Sequence, residues 1–162
     1  MTIVLGIDIG VTGAIAAVDS RGSCMLHDLP AEEIPGNGRR KRRIDGRALM
    51  FLVRDMVPPG EVALAVFEDV HSMPNDNGPS GFSLGDSLGC VRTVLQIARF
   101  DVRAVQPQAW KRHYSIKADK NGSLARECAV RLYPNAAALL KRVKDHNRAD
   151  ALLIAHYGRT LL

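Results

Sequence analysis

The stretch IVLGIDIG, residues 3–10, constrains the fold more than any other part of the chain. Strand alternation puts Ile3, Leu5, Ile7 and Ile9 on one face and Val4, Gly6 and Asp8 on the other, the pattern of a central strand with apolar surroundings on both sides. Asp8 breaks that pattern. An ionised carboxylate on such a strand is costly unless a cation or hydrogen-bond donors meet it, or unless it ends the strand and caps the following turn. The runs GAIAAVD and SCMLHDL come next, separated by turn residues at 11–13 and 20–22, so the first thirty residues predict a three-stranded meander.

Beyond the meander, EEIPGNGRRKRRID carries five consecutive basic residues, Arg39, Arg40, Lys41, Arg42 and Arg43, a run expected to be solvated and mobile. Leu49, Leu52, Val53 and Met56 recur at helical spacing until Pro58, Pro59 and Gly60 stop the helix, and the strand VALAVFEDV follows. A breaker-rich loop over 71–82 leads into a helix with Leu84, Leu88, Val91 and Leu95 on one face. Gly81, Gly85 and Gly89 recur every fourth residue there and permit close approach of another backbone. DVRAVQ reads as a short strand and PQAW as a helix start with Pro107 first. Ser123 is placed to cap a helix with Ala125, Cys128, Ala129 and Leu132 facing inward, ending before Pro134. A last helix begins near Asn147 with ADALLIAHYG. This order, βββαβαβα and a final helix, predicts an α/β fold with a mixed sheet and helices packed on its faces. At 162 residues, 46% hydrophobic, it corresponds to a single domain over 1–162.

No apolar run approaches the roughly 18 residues of a membrane span, and the apolar start lacks the flanks of a signal peptide, so the expected location is intracellular and cytoplasmic. Cys24, Cys90 and Cys128 have neither disulfide nor zinc-site spacing and are expected to be packing residues. The net charge of +5 favours an anionic partner such as nucleic acid.

Glu68 repeats the anomaly of Asp8 at the end of the second strongly apolar strand. A third acid, Asp150, shares a helix face with His146 and Asn147 in DHNRAD. Taken singly, each is explained as a strand-end or helix-start acid. If the strands are neighbours and the helix crosses their ends, the three carboxylates converge on a site suited to Mg²⁺ or Mn²⁺, and paired divalent ions are the means of phosphodiester hydrolysis.

With these motifs in order, the chain resembles the RuvC family of Holliday junction resolvases, within the RNase H-like (retroviral integrase-like) superfamily, and is nearer its phage- or organelle-type branches. GIDIGVTGAIAAV resembles the family's first strand and turn, VFEDV its fourth strand, GFSLGDSLGCVRTVL its dimerisation helix, VQPQAWK its fifth strand and following basic residue, and NRADALLIA its closing helix. The resemblance implies an RNase H-like five-stranded mixed sheet, the first three strands antiparallel, with helices on both faces. It implies metal ligation by Asp8, Glu68 and Asp150, Mg²⁺ as cofactor with Mn²⁺ as substitute, and a homodimer through the helix from Leu84 to Ala98. The expected activity is paired cleavage of four-way DNA junctions.

The family's fourth ligand is an acid or histidine three residues before the last aspartate. Here that position is Asn147, whose amide oxygen can ligate but adds no charge. Either Asn147 serves as ligand, Asp145 or His146 takes the role, or the change blunts cleavage. His146 is a candidate proton acceptor or donor. Lys111 is the candidate to meet the scissile phosphate, and Arg112, Lys117 and Lys120 join Arg39–Arg43 as candidate DNA contacts. Phe82 either stacks on an unpaired base or anchors its helix in the core, and Trp110 is assigned to the core. Alternatives are an RNase H-like RNA-processing nuclease, a non-catalytic junction-binding module, and an actin-like ATPase, which needs two such domains.

Overall fold

A computed structural model of the chain describes residues 2–35, 41–70, 78–117 and 121–162. The central strand is β1 (Thr2–Asp8), flanked on one side by β2 (Ala14–Asp19) and then β3 (Cys24–Asp28), all antiparallel. The other strands follow a small antiparallel hairpin of β4 (Ala31–Ile34) and β5 (Lys41–Ile44) and the helix α1 (Gly46–Met56). On the far side of β1, β6 (Val62–Glu68) and β7 (Asp101–Val105) run parallel to it, giving a five-stranded mixed sheet of order β3-β2-β1-β6-β7. The remaining helices are α2 (Gly78–Ile97), α3 (Pro107–His113), α4 (Ser123–Leu132) and α5 (His146–Gly158), with short 3-10 turns between and after the last two.

Alternation along β1 divides the core in two. Ile3, Leu5, Ile7 and Ile9 pack with Leu49, Val53 and Met56 of α1 and with Val91 and Leu95 of α2. Val4 faces the opposite layer, where Leu64 and Val66 of β6 meet Trp110 of α3, Ala125, Cys128 and Ala129 of α4 and Leu152 to Ala155 of α5. Helices therefore cover both faces of the sheet. A glycine at position 6 lets α5 sit directly on β1, because a Cβ there would collide with the backbone of Ala151 and Ala155. Asp45 caps α1, accepting from the amides of Arg47 and Ala48 at 3.0 Å each.

Several expectations are corrected. The basic run is not all solvated loop: Lys41–Ile44 pairs with Ala31–Ile34, and Arg43 donates to Glu32 at 2.7 Å. A strand made of charge carries no apolar alternation, so nothing in its pattern announced it. The glycine-bearing helix begins at Gly78, which places Phe82 on α2 and not in the preceding loop; the loop expected over 71–77 lies outside the described residues. Gly122, at φ 59°, is the N-cap of α4, and Ser123 is its first helical residue without a side-chain cap. A Cβ at 122 would strike the His146 side chain, so glycine is required there by packing as well as by backbone. Leu132 is 36% exposed and does not face inward. Cys128 is buried, and Cys24 and Cys90 pack half-buried against the two cores as free thiols.

Candidate active site

β1 and β6 are parallel neighbours with Ile7 opposite Phe67, so Asp8 and Glu68, the next residue of each, end the strands side by side on the face covered by α5. Asp150 lies one turn into α5, the helix that covers this face. Burial raises the Asp8 carboxyl well above the usual carboxylate range, the charges of Asp150 and Glu68 raise it further, and Lys111 opposes them. The two other acids expected from sequence, Glu68 and Asp150, are thus within electrostatic reach of Asp8. As positioned, no three His, Cys, Asp or Glu side chains among the described residues close into a metal-holding group. The donor chemistry fits a hard divalent cation nonetheless: the ligands are all oxygen, and a cation would relieve the repulsion that raises Asp8.

Glu68 is held from the side. Trp110, 0% exposed on α3, donates its indole N–H to Glu68 Oε1 at 2.8 Å. Lys111 Nζ lies 3.8 Å from that same oxygen and 5.1 Å from the centre of the Trp110 ring. The core assignment of Trp110 is right as to burial, but it missed this bond. The available signal was that a buried indole N–H requires an acceptor and that Trp110 adjoins Lys111. Gln106 similarly donates to Asp69 Oδ2 at 2.7 Å beside the ends of β6 and β7.

The Asn147 amide nitrogen donates to the Thr12 carbonyl at 2.6 Å, tying α5 to the turn between β1 and β2. With the NH₂ so committed, Oδ1 is the atom through which Asn147 would ligate. Asp145 is buried, and its two oxygens accept from the backbone N–H and guanidinium of Arg142 at 2.7–3.3 Å. Burial alone would raise its carboxyl, but the Arg142 donors outweigh this and hold it below the usual range. His146 Nδ1 lies 2.9 Å from the Val143 carbonyl and must donate to it, which leaves Nε2 unprotonated in the neutral ring.

Strand alternation separates the basic residues of β5. Arg42 lines a cleft of about 490 Å³ with Thr12, Lys144, His146 and Asn147, whereas Arg43 lines a different groove with Glu32, Asp86 and Cys90. Lys41 is exposed, as are Arg112 and Lys117; Arg39, Arg40 and Lys120 lie outside the described residues. Phe82 is 79% exposed, so it does not anchor its helix in the core. Among the described residues nothing lies within 4 Å of where a Cβ would stand at Gly85 or Gly89, so they do not pack on this chain's own sheet.

No family profile matches the chain. It is 31% identical over 111 residues to the protein named "Holliday junction resolvase MOC1, chloroplastic" from Chlamydomonas reinhardtii, a match that takes in 66% of this chain. The chain spans 13% of that relative's length. Its fold is similar to Thermus thermophilus RuvC in complex with Holliday junction substrate, with a TM-score of 0.59 and 18% identity over 99% of this chain and 96% of the other. A second Thermus thermophilus RuvC structure gives a TM-score of 0.55 at 18% identity, covering 98% and 96%. Among the described residues no helix is long and apolar enough to cross a membrane. The chain has the RNase H-like fold of RuvC and is similar in sequence to an organelle-type Holliday junction resolvase.

Proposed function

We propose that this chain is a structure-selective endonuclease that cuts four-way DNA junctions in a divalent-cation-dependent reaction. The observation that carries the proposal is that Asp8 and Glu68 end adjacent parallel strands on the face covered by α5, with Lys111 3.8 Å from Glu68 and Asp150 near enough to raise the Asp8 carboxyl. The fold and the likeness to a named resolvase support the substrate class. In this reading Asp8, Glu68, Asp150 and Oδ1 of Asn147 hold Mg²⁺, with Mn²⁺ as substitute. Bound cations would supply Lewis-acid chemistry and stabilise charge on the scissile phosphate.

The chain's own residues bind and orient. Lys111 carries positive charge to the edge of the acidic site and meets the phosphate, and His146 Nε2 is available to take a proton. Arg42, Lys41, Arg112 and Lys117 add phosphate contacts, and exposed Phe82 is available to stack on an unpaired base. The open glycine face of α2 suits a two-fold contact between two copies, which would present two such sites to one junction.

One observation favours a second reading. Position 147 contributes an amide already bonded to Thr12, so the site carries one charge fewer than an acid there would give; the chain would then bind junctions without cutting them. The test is a gel assay of synthetic four-way junction, flap, linear duplex and RNA with and without Mg²⁺. Paired nicks in the junction alone, dependent on Mg²⁺, are the expected result. Retention without nicks supports the binding module, and preferential cutting of RNA overturns both.

A further inference from the structure

We propose that Trp110 is a positioning residue for the cation site, fixing one oxygen of Glu68 through its indole N–H and the Lys111 ammonium through its ring face. The inference rests on the reading of Asp8, Glu68 and Asp150 as that site. Glu68 reaches the site on a side chain of three rotatable bonds at the end of β6. Trp110 is rigid by comparison: it is fully buried, and α3 starts at Pro107, whose ring presets the first helical turn. Its indole N–H meets Oε1 at 2.8 Å, and Lys111 Nζ approaches the same oxygen at 3.8 Å. The ammonium stands 5.1 Å from the ring centre, within cation–π range.

Both partners converge on Oε1, so Oε2 is the oxygen presented to a cation. One side chain thus fixes the direction of a ligand and the distance from that ligand to the lysine facing the phosphate. Partners that orient a metal ligand typically change affinity about 10- to 100-fold when lost.

The experiment is Mn²⁺ calorimetry on the whole chain, comparing the parent with Trp110→Phe, which keeps a ring under Lys111 and removes the donor. About tenfold weaker Mn²⁺ binding by a variant that still melts cooperatively is expected. Undiminished Mn²⁺ affinity in folded Trp110→Phe overturns the positioning role while leaving the cation site standing; a parent that binds no Mn²⁺ overturns both. Should Trp110→Phe fail to fold, the parent supplies its own reporter. Trp110 is the single tryptophan of the chain, so one indole ¹H–¹⁵N resonance reads the bond directly. That resonance is expected to move when Mg²⁺ is added and to move again in metal-free Glu68→Gln. An indole signal indifferent to both changes overturns the proposal.

Discussion

Gly6 on β1 lies directly beneath Ala155 of α5, with no room between the two backbones for a methyl group. This contact sets the height of α5 above the sheet and so the distance from Asp150 to Asp8. Gly6→Ala forces α5 outward against backbone atoms, which cannot rotate away as a side chain end can. A loss of stability of about 1–3 kcal/mol or more is expected, at the severe end of overpacking, together with loss of junction cleavage. Denaturant melts and a cleavage assay check it, and a fully stable, fully active variant contradicts the seating of α5 described above.

Asp8 holds its proton to higher pH in the folded chain than in the unfolded one, because burial and the charges of Asp150 and Glu68 disfavour the carboxylate. The folded state therefore binds more protons than the unfolded state once the pH passes the ordinary carboxylate value, and the metal-free fold loses stability from about pH 4 upward, through the raised value. Asp8→Asn abolishes that penalty. Metal-free melts of Asp8→Asn should be less dependent on pH and, near neutral pH, higher than the parent by about 0.5–2 kcal/mol. Cleavage should be lost, and junction binding, carried by the basic surface, largely kept. A variant less stable than the parent at neutral pH would falsify the crowded-carboxylate description.

Much of this was legible in the order of the residues, and what was not has a physical reason. Alternation of Ile3, Leu5 and Ile7 against Val4, Gly6 and Asp8 correctly divided the two cores, because side-chain direction in a strand is a local property. The same applies to Leu49, Val53 and Met56 on α1. The β4–β5 pair is not legible in the sequence: Glu32 stands opposite Arg43, and Ile44 is the only residue of β5 that is buried, so no apolar alternation marks the strand. Trp110 reads as core from the sequence, but its bond to Glu68 joins positions 42 residues apart, and no periodicity encodes such a contact. The tie from Asn147 to Thr12 spans 135 residues and was equally beyond reach.

Asn147 is both a tie to Thr12 and, through Oδ1, a proposed ligand, and these roles respond differently to substitution. Asn147→Asp sets a carboxylate oxygen against the Thr12 carbonyl, which should lower metal-free stability by about 1–3 kcal/mol. The added charge should make Mn²⁺ restore more stability in the variant than in the parent, with cleavage at saturating metal equal or higher. Asn147→Leu should lose the same tie with no such restoration. Thermal melts with and without Mn²⁺ distinguish the two, and equal metal responses count against ligation at this position.

Because nothing among the described residues lies within 4 Å of a Cβ at Gly85 or Gly89, an added methyl meets none of them. Gly89→Ala should stabilise the α2 helix by about 0.5–1 kcal/mol. If two copies pair through this face, Gly89→Arg should leave the fold intact and yield monomers where the parent sediments as a dimer. Persistent dimers of Gly89→Arg would move the interface away from this face.

Arg42 and Arg43 are neighbours in sequence but not in surroundings, and their substitution should separate phosphate contact from internal pairing. Arg42 lines the cleft beside Asn147 and His146, the ground that a strand leaving the acidic site would cross. Arg43 donates to Glu32, and that pairing further favours its charged form. A residue that contacts a phosphate releases roughly one counterion, so Arg42→Ala should lower junction affinity and reduce the slope of log K against log salt by about 1. Arg43→Ala should change that slope less, since its guanidinium is already engaged and its loss also frees Glu32. Salt titrations of junction binding in fluorescence anisotropy measure both slopes. If Arg43→Ala carries the change and Arg42→Ala does not, the strand runs along the groove beside α2 and not across the end of α5.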